Sequence, residues 1–325
     1  MVTYIVLLII GFIALIKGAD WFVKGSSDIA KNLRIPSVII GLTIVALGTS
    51  APELAVSVAA AIQGANEISV SNVVGSNIFN LMVVLGICAS IHPLEVDKKI
   101  LKRDMPISIL ATIVTLGFCV EYPLLQKIKL SRLRATDEAG MIHRWLGVAL
   151  IISFAIYLYL LICDARKNPI EEDDVQYLPI WKCLVLVIVG LVLIIGGGQA
   201  VVNGAREIAR MAGMTETLIG LTIVAVGTSL PELVTSIVAS KKGETDLAIG
   251  NAVGSNIFNL LLILGLSGTI HPMTINLATI IDIIILILCS ILTFIYSRTA
   301  KRINRLEGLS MVILYVIYVG YAILR

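Results

Sequence analysis

Charge is what this 325-residue chain has least of: Asp, Glu, Lys and Arg make up 14% of it, against roughly 25% in soluble globular domains. That shortage excludes an ordinary soluble domain. Aromatic residues are also sparse at 6%, and His occurs three times. The five cysteines, at positions 88, 119, 163, 183 and 289, show no CxxC spacing and no His at metal-ligand intervals, so they are expected to be packing residues. No nucleophile and base pair, zinc signature or nucleotide loop occurs, which argues against a membrane enzyme. The net charge of +3 is small and its basic residues lie in short loops, which argues against nucleic acid. Lipid headgroups are their expected neighbours, and no obligatory protein partner is evident.

Apolar residues supply 58% of the chain and the mean hydropathy is +0.97. Stretches of about 17 to 25 apolar residues suffice to cross a hydrocarbon core. Ten such stretches are expected, at about 2–18, 36–62, 68–90, 104–120, 145–163, 180–198, 214–240, 246–270, 279–297 and 307–324. Their recurrence, with no Ala-x-Ala-like site closely after the first, marks that first run as a span and not a signal peptide.

Residues 41–93 align with 220–272 at a constant offset of 179, without a gap and with slightly over half of the positions identical. Similarity extends back through Gly25 and Gly204, so each half contains five spans. An odd number forces the second half to enter the membrane in the opposite sense. With the N-terminus outside, cytoplasmic loops hold 17 of the 25 Lys and Arg residues. Both termini are then expected outside, in a multi-pass protein of the cell membrane. The loop 121–144, with Lys127, Lys129, Arg132, Arg134 and Arg144, runs against that charge rule.

The strongest internal match is Gly48-Thr49-Ser50-Ala51-Pro52-Glu53 with Gly227-Thr228-Ser229-Leu230-Pro231-Glu232. Gly and Pro should break each helix there. Freed backbone groups at membrane depth are tolerable only inside the protein or beside a cavity. A carboxylate in an apolar span is costly unless paired or hydrated, so Glu53 and Glu232 mark a site. Ser50 and Ser229 lie three residues earlier, on the same helical face. The next span of each half adds GSNIFN, which places Ser76 and Asn80, and Ser255 and Asn259, four apart. Carboxylates, hydroxyls, amide oxygens and backbone carbonyls are the hard ligands that calcium and sodium prefer.

Other features have plainer roles. Gly75 and Gly254 suit close helix packing, and Asn77 and Asn256 suit capping or bracing. His92-Pro93 and His271-Pro272 end their spans. The run Glu171-Glu172-Asp173-Asp174 lacks the alternation of a calcium loop and is expected to be solvated.

GTSAPE followed by GSNIFN, repeated as GTSLPE and GSNIFN, closely resembles the two alpha-repeats of sodium/calcium exchangers of prokaryotic type in the cation/calcium antiporter superfamily. The resemblance implies an all-α integral membrane protein of ten transmembrane helices, as two inverted-topology five-helix repeats with discontinuous helices 2, 3, 7 and 8. Residues 1–163 would form the first repeat, 164–179 a short cytoplasmic linker and 180–325 the second repeat. It also implies alternating access, with the first and sixth spans sliding across a rigid core. By position, the ion ligands fall on Ser50, Glu53, Ser76, Asn80, Ser229, Glu232, Ser255 and Asn259, with backbone carbonyls near Ala46, Thr49, Ala225 and Thr228. Asn259 departs from the archaeal pattern, which has Asp there, and no regulatory insert separates the halves. Bound Ca2+ and Na+ would be cargo, with no cofactor. Proton or potassium coupling, or a channel or sensor role for the same oxygens, are the alternatives at this stage.

Overall fold

No charged residue occurs before Lys17, and the chain from Val2 to Asn32 forms one helix, α1. The computed structural model describes residues 1–120, 137–167, 178–214 and 225–324. The next helix is bent by 51° between α2 (Ser37–Thr49) and α3 (Ala51–Ile62). The bend falls at Ser50, whose φ of −82° and ψ of 7° leave the helical region just ahead of Pro52. A turn through Gly64, at φ +70°, leads into α4 (Ile68–Ile91). Then follow β1 (Leu94–Glu95), α5 (Met105–Cys119), β2 (Glu138–Ile142) and α6 (Arg144–Lys167).

The second half repeats the order with α7 (Ile180–Met211), α8 (Ala225–Thr228), α9 (Leu230–Lys241) and α10 (Thr245–Ile270). Ser229, at φ −93° and ψ 6°, separates α8 from α9 as Ser50 separates α2 from α3. The chain ends with β3 (Met273–Asn276), α11 (Leu277–Arg298), β4 (Arg302–Ile303) and α12 (Arg305–Leu324). Among the described residues, seven helices are long and apolar enough to cross a membrane, eight if α2 and α3 count as one span. The protein is a helical membrane protein whose described strands form two short antiparallel ribbons, β1 with β4 and β2 with β3. Residues 121–136, 168–177 and 215–224, the last including most of the start of the expected span 214–240, lie outside the described residues.

Helices 3 and 8 of the expected plan are not discontinuous. α4 and α10 hold their course and widen into π turns at Asn80–Val84 and Phe258–Ile263. GSNIFN contains no Pro, so no backbone donor is lost and the irregularity is absorbed as one wide turn.

Burial decides which helices are central. The apolar window of α10 is 94% buried and that of α4 78%, while those of α1 and α12 are 22% and 11%. Ile5, Ile9, Ile13 and Ile16 of α1 are exposed, as expected where hydrocarbon is the solvent.

α1 and α7 meet backbone to backbone along glycines spaced by seven, Gly11, Gly18 and Gly25 on one helix and Gly190, Gly197 and Gly204 on the other. A Cβ on Gly18 would lie 2.7 Å from the Gly190 carbonyl oxygen, and one on Gly190 2.7 Å from that of Gly18. Small residues replace the missing hydrophobic drive between membrane helices by allowing close approach. At the far end of α1 its side chains hold the α9–α10 turn. Lys242 Nζ lies 2.6 Å from Asp20 Oδ1, Ser27 Oγ donates to Glu244 Oε1 at 2.5 Å, and Lys31 Nζ lies 3.5 Å from the same oxygen.

Candidate cation-binding site

Both glutamates sit in the first turn after a break: Glu53 at the start of α3 and Glu232 at the start of α9, each directly behind a Pro. Pro fits that first turn because the N–H it lacks would have no intrahelical partner there. Each break also ends a helix, α2 at Thr49 and α8 at Thr228, and a helix C-terminus carries partial negative charge. α3 packs on the π turn of α10, and α9 on the π turn of α4. Each carboxylate-bearing helix therefore meets the amide-bearing turn of the other half.

Thr49, Ser50, Glu53, Asn80, Ser229, Glu232, Ser255 and Asn259 are fully buried, and Ser76 nearly so. Hydrogen bonds cross between the halves. Ser50 Oγ donates to Glu232 Oε1 at 2.9 Å, and Ser229 Oγ donates to Glu53 Oε1 at 3.0 Å. Ser76 Oγ lies 3.4 Å from that Glu53 oxygen and 2.9 Å from Ser229 Oγ. Asn259 Nδ2 donates to Ser76 Oγ at 3.3 Å and to Asn77 Oδ1 at 3.0 Å.

The remaining oxygens matter most chemically. Glu53 Oε2, Glu232 Oε2, Asn80 Oδ1, Asn259 Oδ1 and Ser255 Oγ are buried without a hydrogen-bond partner. A buried polar atom without a partner costs about 1–3 kcal/mol, and more when charged. Such a set of hard oxygens suits a cation, which accepts lone pairs that no protein donor satisfies. Asp104 shows the contrast. It too is fully buried, but Arg103 lies 2.8 Å from it and the Tyr157 hydroxyl donates to it at 3.1 Å, so its charge is balanced within the protein.

The expected backbone contributors flank the breaks. The Ala46 carbonyl accepts the Ser50 N–H at 3.0 Å, whereas the Ser229 N–H turns one residue short of Ala225 to Val226 O at 3.2 Å. Thr49 Oγ1 points back along α2 to Val45 O at 3.1 Å and across to Asn251 Oδ1 at 3.0 Å. Thr228 is half-buried and ends α8. Glu53, Ser76, Ser229 and Asn259 thus form one bonded group, with Glu232 and Ser50 as a second. Asn80 and Ser255 are buried in the same helices outside both groups.

Asn77 and Asn256 brace the core: each Nδ2 donates to the other's main-chain oxygen at 3.2 Å. Sequence reasoning passed over Asn72, Ser57, Asn251 and Ser236. Asn72 Nδ2 donates to Ser57 Oγ at 2.9 Å and to Glu53 O at 3.3 Å; Asn251 Nδ2 donates to Ser236 Oγ at 2.9 Å and to Glu232 O at 3.4 Å. The signal was present, since both pairs are identical at the offset of 179 and Asn72 continues the four-residue spacing of Ser76 and Asn80.

Two buried carboxylates, one on each side of a crosswise arrangement of helical membrane segments, place this protein among membrane cation transporters. The chain belongs to the sodium/calcium exchanger family, whose family model, "Sodium/calcium exchanger protein", matches residues 3–163 and 182–324. It is a transport protein and not an enzyme. It is 38% identical over 328 residues to the putative antiporter CaxA of Alkalimonas amylolytica, covering 97% of this chain and 96% of that one. It is 32% identical to the sodium/calcium exchanger MaX1 of Methanosarcina acetivorans, covering 96% of each. Among solved structures, the sodium-calcium exchanger NCX_Mj soaked with Na+ and Ca2+ superposes with a TM-score of 0.81 at 31% identity, over 98% of both chains.

Proposed function

We propose that this protein is a secondary active antiporter that exchanges Na+ for Ca2+ at one midplane site. Glu53 and Glu232 form the charged centre; Asn80, Asn259, Ser50, Ser76, Ser229 and Ser255 supply neutral oxygens, and the carbonyls near Ala46, Thr49, Ala225 and Thr228 complete the shell. The observation that carries this reading is the crossed pairing: each glutamate is bonded through Oε1 to the serine of the other half and keeps a buried, unpartnered Oε2.

The ten-span count adds the shorter α5 and the broken α8–α9 segment to the long helices. Two five-helix repeats of opposite topology, joined through 164–179, would put both termini on one side, and the Lys and Arg distribution favours the outside. A cavity of about 340 Å3 lined by Pro52, Gln199, Asn203, Arg206, Thr228 and Pro231 reaches the breaks from the side that this topology makes external. On the other side α1 is tied to the α9–α10 turn through Asp20, Ser27 and Lys31. A cavity that reaches the breaks on one side and a tethered helix on the other support an alternating-access reading. Two ionised glutamates balance one Ca2+, whereas three Na+ leave one positive charge, so a three-to-one exchange carries current and two-to-one does not. An unloaded site would move two uncompensated charges through low dielectric, and that disfavours uncoupled slippage.

Labelled-Ca2+ uptake into proteoliposomes tests the reading. Vesicles loaded with Na+ should accumulate Ca2+ when diluted into Na+-free medium, while K+-loaded vesicles, with or without a pH gradient, should not. Equal uptake under all three loads would overturn sodium coupling.

A further inference from the structure

We infer that Asn72 and Asn251 are positioning residues for the cation site, and that Asn251 carries the larger share. The inference rests on the proposed site, because it names what holds that site's glutamates in place.

Asn72, Ser76 and Asn80 stand at four-residue intervals on α4, as Asn251, Ser255 and Asn259 do on α10, so each trio shares one helical face. The opposing helices carry Glu53 with Ser57, and Glu232 with Ser236, also four apart. Helix pairs α3–α4 and α9–α10 therefore face each other as ladders. The rung beside each carboxylate is an Asn that donates both to a Ser hydroxyl at 2.9 Å and to the main-chain oxygen of the glutamate itself, at 3.3 Å for Glu53 and 3.4 Å for Glu232. Ser57 and Ser236 are fully buried. The Asn touches no carboxylate oxygen. What it sets is the distance between the turn that carries the glutamate and the helix that carries the neighbouring serine and amide ligands.

The two rungs are alike in sequence and unlike in surroundings. Asn72 is half-buried, whereas Asn251 is fully buried. Asn251 also accepts from Thr49 Oγ1 at 3.0 Å, which ties the carbonyl-bearing end of α2 to the turn that bears Glu232. Through this one amide the break of the first half and the carboxylate of the second share a fixed spacing. Partners that orient metal ligands without touching the metal typically alter affinity about 10- to 100-fold when removed.

The test is Ca2+ binding to detergent-purified protein by isothermal titration, which separates affinity from the number of competent sites. Asn251→Ala should raise the Ca2+ dissociation constant about 10-fold or more, and Asn72→Ala by a smaller factor, with the site number held. The Sr2+ to Ca2+ affinity ratio should rise in Asn251→Ala, because a loosened ring favours the larger ion. A purely structural role would lower the site number and leave the affinity and the ratio unchanged, and that result overturns the inference. Should Asn251→Ala not fold, Ser236→Ala removes the other end of the same rung and should weaken affinity in the same direction; an unchanged constant there also overturns it. Wild-type protein that binds no Ca2+ would instead refute the proposed site, a result distinct from unaltered affinity in the variants.

Discussion

Glu53→Gln and Glu232→Gln should each lower Na+-dependent Ca2+ uptake about 100-fold or more, because the site has just two formal charges with which to hold a divalent ion. Gln keeps the volume and can still accept from the cross-paired serine, Ser229 for Glu53 and Ser50 for Glu232. Packing is thus preserved while one negative charge is lost. The site would then carry a net positive charge with Ca2+ bound, in surroundings where nearby charges interact far more strongly than in water. Uptake by Na+-loaded proteoliposomes, compared at equal reconstituted protein, measures the effect. If either variant retained more than about a tenth of wild-type uptake, that glutamate would not be a principal ligand.

Gly197→Val should lower the thermal midpoint by roughly 2–5 °C, while Gly196→Val, one residue away on the same helix, should leave it within about a degree. A Cβ at Gly197 would stand 2.8 Å from Gly11 O and from Leu15 N, both backbone atoms of α1 that no rotamer change can move. A Cβ at Gly196 has nothing within 4 Å. Overpacking of a well-filled contact typically costs about 1–3 kcal/mol. Val is, moreover, the better helix former, so composition alone predicts no penalty at either position. Thermal scanning of the two purified variants decides the matter, and equal midpoints would show that the glycine contact does not hold α1 to α7.

Much of the site was legible because a duplication displays it twice. Pro52 and Pro231 remove a donor at a fixed place in an apolar run, so the breaks at Ser50 and Ser229 could be anticipated from covalent structure alone. The breaks that the family resemblance implied for helices 3 and 8 are absent from α4 and α10. Their motif has Gly but no Pro, and a helix can absorb that as a π turn without changing direction. Asn72 and Asn251 escaped notice because a polar residue one turn from a ligand motif has no signature of its own; the Ser57 and Ser236 it meets lie 15 residues away in sequence. The ribbons β1–β4 and β2–β3 were also unforeseen, since they join loops far apart in the chain and runs of two to five residues carry no usable periodicity. Nor does any sequence identity foretell that Asn259 finds two acceptors while Asn80, its repeat equivalent, finds none.

The reciprocal bonds between Asn77 and Asn256 have the form found where two identical subunits meet about a twofold axis, residue i on j and j on i. In a dimer of identical chains, one codon change would alter both sides of such a contact at once. Within a single chain the two sides are inherited separately, so either asparagine can drift while its partner stays. Asn80 and Asn259 already differ in their partners while the residue itself is unchanged in both copies.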